Sequence, residues 1–588
     1  MAGYRSIVEK YEYRILNFKS EIPMHQLKRS FNFFFAVLVL VLLVSCAEPV
    51  TKYDVIIRNG MVYDGNGGQP FKADIGIIGD TIAFIGNLKK LTAKKDIDAK
   101  GMAIAPGFIN MLSWATETLI QDGRSQSDIR QGVTLEIMGE GNSMGPLNPR
   151  MKEQMIGSQS DIKFDVTWTT LGEYLNFLEK KGISCNVASF VGATSVRDYV
   201  IGEDDRQPTR AQLDSMKSLV RQAMEEGALG VGSSLIYPPA FFAKTGELIG
   251  LCQEASKYGG SYISHMRSEG NKLLESVDEL ITIARDANIH AEIYHLKASG
   301  KDNWPKMDSL IAKVEKARRE GLEITADMYT YIASATGLTA SFPPSLQDGG
   351  FGKLHERLKD PKIRQHMKVA MNTNAADWEN SYYGAGGADH VLILGFKQDS
   401  LRKYIGKTLA EIAALRGTSP EETAMDLIVL DSSRVDVSYF SMSEDNVRKQ
   451  IALPWVSFGS DEGSYTSEGV FIKTNCHPRA YGNFARVIGK YSRDEKIMPL
   501  QEAIRKLTKL PATNLKIEKR GELKVGNYAD IVIFDPAKVK DNSVFEKPHQ
   551  YSEGMEYVLV NGVVVLNKGE HTGATPGRFV KGPGFRKK

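Results

Sequence analysis

Two histidines in this chain are placed to do chemistry together. His265 in YISHMRSEG and His295 in IYHLKASG each close a short apolar run, and each run follows a helical stretch. Runs in that order pair as neighbouring parallel strands, which brings both imidazoles within reach of one ion. A catalytic zinc needs a third protein donor and keeps one position open to water. Glu140, at the end of GVTLEIMGEG, is the natural supplier, and two His with one Glu form an established catalytic set. Glu136 competes for that role from two pleats earlier on the same side; otherwise it is an interior charge, costly if unpaired. Asp461 closes LPWVSFGSD at the same end. A carboxylate there can take a proton from water and pass it to a leaving nitrogen. Alone it would read as a helix N-cap; beside two ligand strands it reads as the proton carrier. Asp327, ending LEITADMYTY, reads as structural or supporting.

These residues need a scaffold that gathers strand ends. In TRAQLDSMKSLVRQAMEEG, Leu213, Met216, Val220 and Met224 share one helical face, and Gly227 ends it. The apolar run ALGVGSSLIY follows at once, and the helix-then-strand pattern recurs through IHAEIYHLKA and LEITADMYTY. With AIAPGFINML, GVTLEIMGEG, CNVASFVGAT, GSYISHMR and LPWVSFGSD, the apolar runs number eight. That predicts an α/β chain with a closed (β/α)8 TIM-like barrel over residues 103–511, its chemistry at the C-terminal ends of the strands. A doubly wound sheet is the alternative, but no Gly-rich phosphate loop follows the first strand. Alternating runs at 50–102 and 512–575 predict one discontinuous β-sandwich from both chain ends. YDVIIRNGMVYDG reads as a hairpin about Asn59-Gly60, KADIGIIGDTIAFIGNL as another about Gly79-Asp80, and EYVLVNGVVVLN turns at Asn561-Gly562. The excess between strands seven and eight, residues 341–449, predicts an inserted subdomain able to act as a lid.

The N-terminus carries an address. Lys28-Arg29 precede the apolar run Phe33 to Val44, and Ser45-Cys46-Ala47 follow. A basic, then apolar, then small-residue leader is a signal peptide. LVSC resembles a bacterial lipobox, which makes Cys46 the lipidated first residue of an exported, membrane-anchored protein facing the periplasm or the cell surface; Met24 is a candidate start. The three later cysteines are widely spaced and form no disulfide framework. A net charge of +3 gives no pull toward nucleic acid.

The chain resembles the amidohydrolase superfamily in its N-acyl-D-amino-acid deacylase branch. The resemblance rests on PGFIN, GVTLEIMGEG, GALGVGSSLIY, SHMRSE, HLKASGKDNW, ADMYTY, GSDEG, HPRAYGNFARVIGKY, AIRKLTKLPATNL and GELKVGNYADIVIFD, in family order. It implies a β/α barrel, a β-sandwich from both ends and an insert between the last two strands. It implies His265 and His295 as metal ligands and Asp461 as catalytic base and acid. It also implies that Lys297 and Tyr329 meet the substrate carboxylate, with Arg267 helping unless it pairs locally with Glu269.

Two departures stand out. Leu112-Ser113-Trp114 occupies the place of the family's first-strand His-x-His pair, and no Cys stands near Glu140-Gly141. The resemblance implies work chiefly with one tightly held metal, so losing the pair would remove a second, weaker site and Trp114 would fill part of the vacated volume. The expectation is an amide hydrolase with one divalent ion, zinc before others, and a small-molecule substrate of the N-acyl-D-amino-acid class. The rivals are a dipeptidase or cyclic amidase of the same superfamily and a non-catalytic binding lipoprotein that keeps the fold.

Overall fold

The computed structural model describes residues 53–587; the leader, Met24 and Cys46 lie outside them. Eight parallel strands form the centre. They are Phe108–Asn110, Val133–Met138, Asn186–Ser189 (resuming after Phe190 as Val191–Gly192), Gly230–Ser234, Ser261–His265, Ala291–Ile293, Ile324–Met328 and Val456–Phe458. Each pairs with the next in chain order, the third strand serving two ladders on either side of Phe190. The ring closes between the eighth strand and the first. Met111 N–H donates to Phe458 O at 3.1 Å and Asp461 N–H to Leu112 O at 2.8 Å, and Ser113 bridges Glu462 in parallel. These strands are buried on both faces, which is why they read as apolar runs without alternation.

The outer helices follow from local signals. Arg210–Glu226 begins with a capping box from Thr209 and Gln212 and stops at Gly227, whose φ of 110° suits glycine. Its buried face is Met216, Val220, Ala223 and Met224, turned onto the barrel.

AIAPGFINML is two strands, not one. Ala103–Pro106 belongs to the sandwich and Phe108–Asn110 to the barrel, with Gly107 between them, where a Cβ would lie 2.0 Å from Thr134 Oγ1. Ala103–Pro106 pairs with Ile531–Phe534 on one side and Met61–Val62 on the other, stitching the two chain ends into a seven-stranded sheet. The Gly79-Asp80 and Asn561-Gly562 hairpins form as expected. Asn59-Gly60 does not make one. Tyr53–Arg58 pairs with Asp74–Ile78 and Ala93–Asp98, while Met61–Val62 joins the other sheet. Val55, Ile57 and Ile75 of the first sheet pack on Ile104, Ile531 and Leu559 of the second, so that turn carries the chain between layers. In the C-terminal half of the sandwich the first strand is Ile531–Phe534. Ala512 and Leu515 still pack beneath barrel residues Ile109 and Leu135.

The insert also differs in its limits. It opens with Ser334–Gly337, which pairs with Asp436–Tyr439, itself paired with Val391–Gly395. Leu338, Met371, Ile393, Ile412, Met425 and Val437 give this unit a core of its own. Helix Glu444–Ala452 falls outside it, because Val447 and Ile451 pack in the barrel's core.

Candidate active site

Glu140, His265 and His295 converge at the C-terminal mouth of the barrel. His265 is the last residue of strand five; Glu140 and His295 lie two residues beyond strands two and six. Glu140 Oε1 is 3.0 Å from His265 Nδ1 and 3.0 Å from His295 Nε2. One donor atom from each of the three lies within 4.8 Å of the others, the sole such group among the described residues. A carboxylate oxygen and two imidazole nitrogens, all buried and aimed at one point, fit a divalent ion of the zinc type. His265 Nε2 is buried without a hydrogen-bond partner, so its ring is committed through the other nitrogen. Burial would raise the Glu140 carboxyl, but His295 and His265 hold it well below the ordinary carboxylate range. Burial and Lys297 would lower His295, but Glu269 and Glu140 push it up to about 10.

Glu136 is not part of this group. It accepts from Ser113 Oγ at 2.8 Å, deeper in the barrel, and burial raises it well above the usual range, as Asp128 does further. Asp327 is also buried and raised; its Oδ1 accepts the backbone N–H of His295 at 2.9 Å, steadying a residue whose φ of 33° is left-handed.

Behind the histidines stands Glu269. Its Oε1 lies 2.9 Å from His295 Nδ1 and 2.7 Å from Lys297 Nζ, and Lys297 Nζ is 2.6 Å from His295 Nδ1. Burial notwithstanding, Lys297 and the two imidazoles hold Glu269 far below its ordinary value. Glu379, from the insert, accepts the Glu269 N–H. Glu269 entered the sequence reading only as a possible partner of Arg267, although its position four residues after His265 was a usable signal.

Asp461 faces the ligands from strand eight with a left-handed φ of 53°. Its Oδ2 pairs with Arg479 Nη1 at 2.8 Å, and Arg479 Nη2 donates to its carbonyl at 2.6 Å. Burial raises Asp461 against the pull of Arg479. The Trp114 indole N–H lies 3.0 Å from Glu140 Oε2 and 3.2 Å from Asp461 Oδ1. The Arg479 guanidinium stacks 4.3 Å from the Tyr329 ring centroid, with Lys297 Nζ at 5.5 Å. Arg479 lay within the quoted HPRAYG stretch but was not singled out.

These residues line a cavity of about 380 Å³, walled on its outer side by Glu379, Arg434 and Asp436 of the insert. Nothing local in the sequence marks those three. Arg267 does not line it. Its guanidinium binds Glu279 at 2.8 and 2.9 Å and the carbonyls of Phe241 and Ala243, so it is turned to Glu279 rather than to the cavity or to Glu269.

Residues 95–566 match the model of the amidohydrolase family. D-aminoacylase of Alcaligenes xylosoxydans xylosoxydans is 29% identical over 532 residues, covering 90% of this chain and 97% of that protein. A solved D-aminoacylase is 30% identical with a TM-score of 0.74, covering 90% of this chain and 100% of its own. The N-acyl-D-glutamate deacylase of Bordetella bronchiseptica, complexed with zinc and a phosphonate inhibitor, is 28% identical at the same TM-score of 0.74, with 90% and 100% covered. With the match spanning barrel and sandwich alike, the chain belongs to the amidohydrolase family.

Proposed function

We propose that this protein is a metal-dependent amide hydrolase that removes the acyl group from N-acyl-D-amino acids. The observation that carries the reading is the convergence of Glu140, His265 and His295 beside Asp461, in a pocket that also presents Lys297, Arg479 and Tyr329. Glu140, His265 and His295 would hold one divalent ion, zinc first. A bound ion of this kind polarises the amide carbonyl and makes water acidic enough to attack near neutral pH. Asp461 accepts a proton from the attacking water at Oδ1 and delivers it to the amide nitrogen as the amine leaves. Arg479 and Lys297 supply two buried cations for the substrate carboxylate, both within reach of the Tyr329 ring. Glu269 orients His295 through Nδ1, as an acid behind a ligand histidine does.

The D-configuration is supported by the names of the relatives, and the choice of zinc by the zinc-bound deacylase. The solved D-aminoacylase has a binuclear centre described as activated by one metal and attenuated by a second, in keeping with turnover on one ion here. We further infer that the mature chain is anchored to a bacterial membrane by lipid on Cys46.

The test is turnover of the full-length protein on paired N-acyl-D- and N-acyl-L-amino acids, with zinc counted in the same preparation. About one equivalent of zinc and selective release of the D-amino acid are expected. A metal-free protein that binds these compounds without cleaving them would establish the binding-protein reading instead. Cleavage confined to dipeptides or cyclic amides would move it within the superfamily.

A further inference from the structure

Trp114 lies just past strand one, its backbone N–H on Glu462 O at 2.8 Å. Its side chain is 37% exposed, yet the one polar atom it carries points inward, between Glu140 Oε2 and Asp461 Oδ1 at 3.0 and 3.2 Å. Each acid has committed its other oxygen. Glu140 Oε1 faces the two histidines, and Asp461 Oδ2 faces Arg479. Two carboxylate oxygens that share one point at the partly buried barrel mouth make a place to which a cation is drawn. Indole N–H is a donor only and uncharged, so it satisfies both oxygens while denying the place to an ion. The two residues before Trp114 offer an ion nothing there. Leu112 is apolar and buried, and Ser113 Oγ is turned away to Glu136.

We propose that Trp114 is a positioning residue that closes the space between Glu140 and Asp461 to a second ion and fixes Asp461 Oδ1 beside the ligand Glu140. This rests on the reading of Glu140, His265 and His295 as the metal site. The protein then holds a single ion whatever the supply of metal, and its proton carrier is steered by a side chain rather than by another cation.

The experiment is equilibrium dialysis of the full chain against excess zinc chloride, with bound zinc counted for the wild type, Trp114→Phe and Trp114→His. Kinetics are recorded on the same samples. The wild type and Trp114→Phe, which keeps the bulk, should bind one equivalent. Trp114→His should bind two, because the introduced imidazole joins two carboxylates in a three-donor set. Trp114→Phe, which has lost the N–H, should lose about ten- to hundredfold in kcat with little change in KM, the scale of one donor to a charged group. Should Trp114→His not fold, Trp114→Cys, which also brings a metal donor to the two carboxylates, replaces it with the same expectation. A second tight equivalent in the wild type, a single equivalent in the opened variant, or native kcat in Trp114→Phe would each overturn the inference. No zinc in the wild type is a different result, which refutes the metal site itself.

Discussion

Glu269 Oε1 lies 2.9 Å from His295 Nδ1, on the far side of the imidazole from Glu140. An acid in that position fixes the ring's orientation and makes the opposite nitrogen a better donor. Glu269→Gln should therefore weaken metal binding by about 10- to 100-fold, read by competition with a chelator of known affinity. It also frees Lys297 from its carboxylate partner, so KM should change along with metal affinity. Unchanged affinity would show that Glu269 serves only Lys297.

Asp461→Asn separates the proton carrier from the ligands. It keeps the size and the acceptor for Trp114 but cannot take a proton from water. Turnover should fall by roughly a hundred- to ten-thousandfold while metal content stays at the wild-type level. Metal loss equal to that of His295→Ala would make Asp461 a ligand; near-native turnover would remove it from the mechanism.

Lys506 gives a pH signature independent of the site. Its ammonium is buried at the base of the last helices, donating to Ile451 O and Leu453 O, and burial pushes it down to about 7. Between pH 7 and about 10 the unfolded chain holds a proton there that the folded chain has released, so stability contributed by this group rises with pH. The slope is on the order of 1 kcal/mol per pH unit. Lys506→Met should flatten the stability curve over that window, measured by urea midpoints at successive pH values. Parallel curves for the two proteins would refute the assignment.

Cys46→Ala, expressed in a bacterial host, should leave an unprocessed and unlipidated precursor. Normal processing and lipid labelling of that variant would refute the lipobox reading.

The barrel and its histidines were legible because parallel strands buried on both faces leave long apolar runs, and His265 and His295 sit at their ends. The sandwich was legible as alternation at both chain ends, but not in its pairing. Asn59-Gly60 has the residues of a hairpin turn, and only the packing of two sheets decides that it links them instead. Glu136 and Glu140 looked alike in sequence; Glu136 lies inside strand two and Glu140 two residues past its end, which puts one below the mouth and the other beside the histidines. Arg267 entered through the family resemblance, with Glu269 as its other partner; its side chain pairs with Glu279, which no local pattern marked. Glu379 and Arg434 come from a segment more than a hundred residues downstream of the histidine strands' first member, and no local pattern could place them in the pocket.

The insert's independent core has a consequence for how this enzyme can diversify. Leu338, Ile393 and Val437 give it an apolar core separate from the barrel's, while Glu379, Arg434 and Asp436 reach from it into the cavity wall. Residues 334 to 441 are thus the stretch in which the outer wall should be open to change. Grafting the matching segment of a relative, or randomising those three positions, re-cuts the outer wall while Glu140, His265, His295 and Asp461 stay on the barrel. The outer wall can thus vary with the insert, while the bond-breaking residues and the carboxylate contacts of Lys297 and Arg479 stay with the barrel.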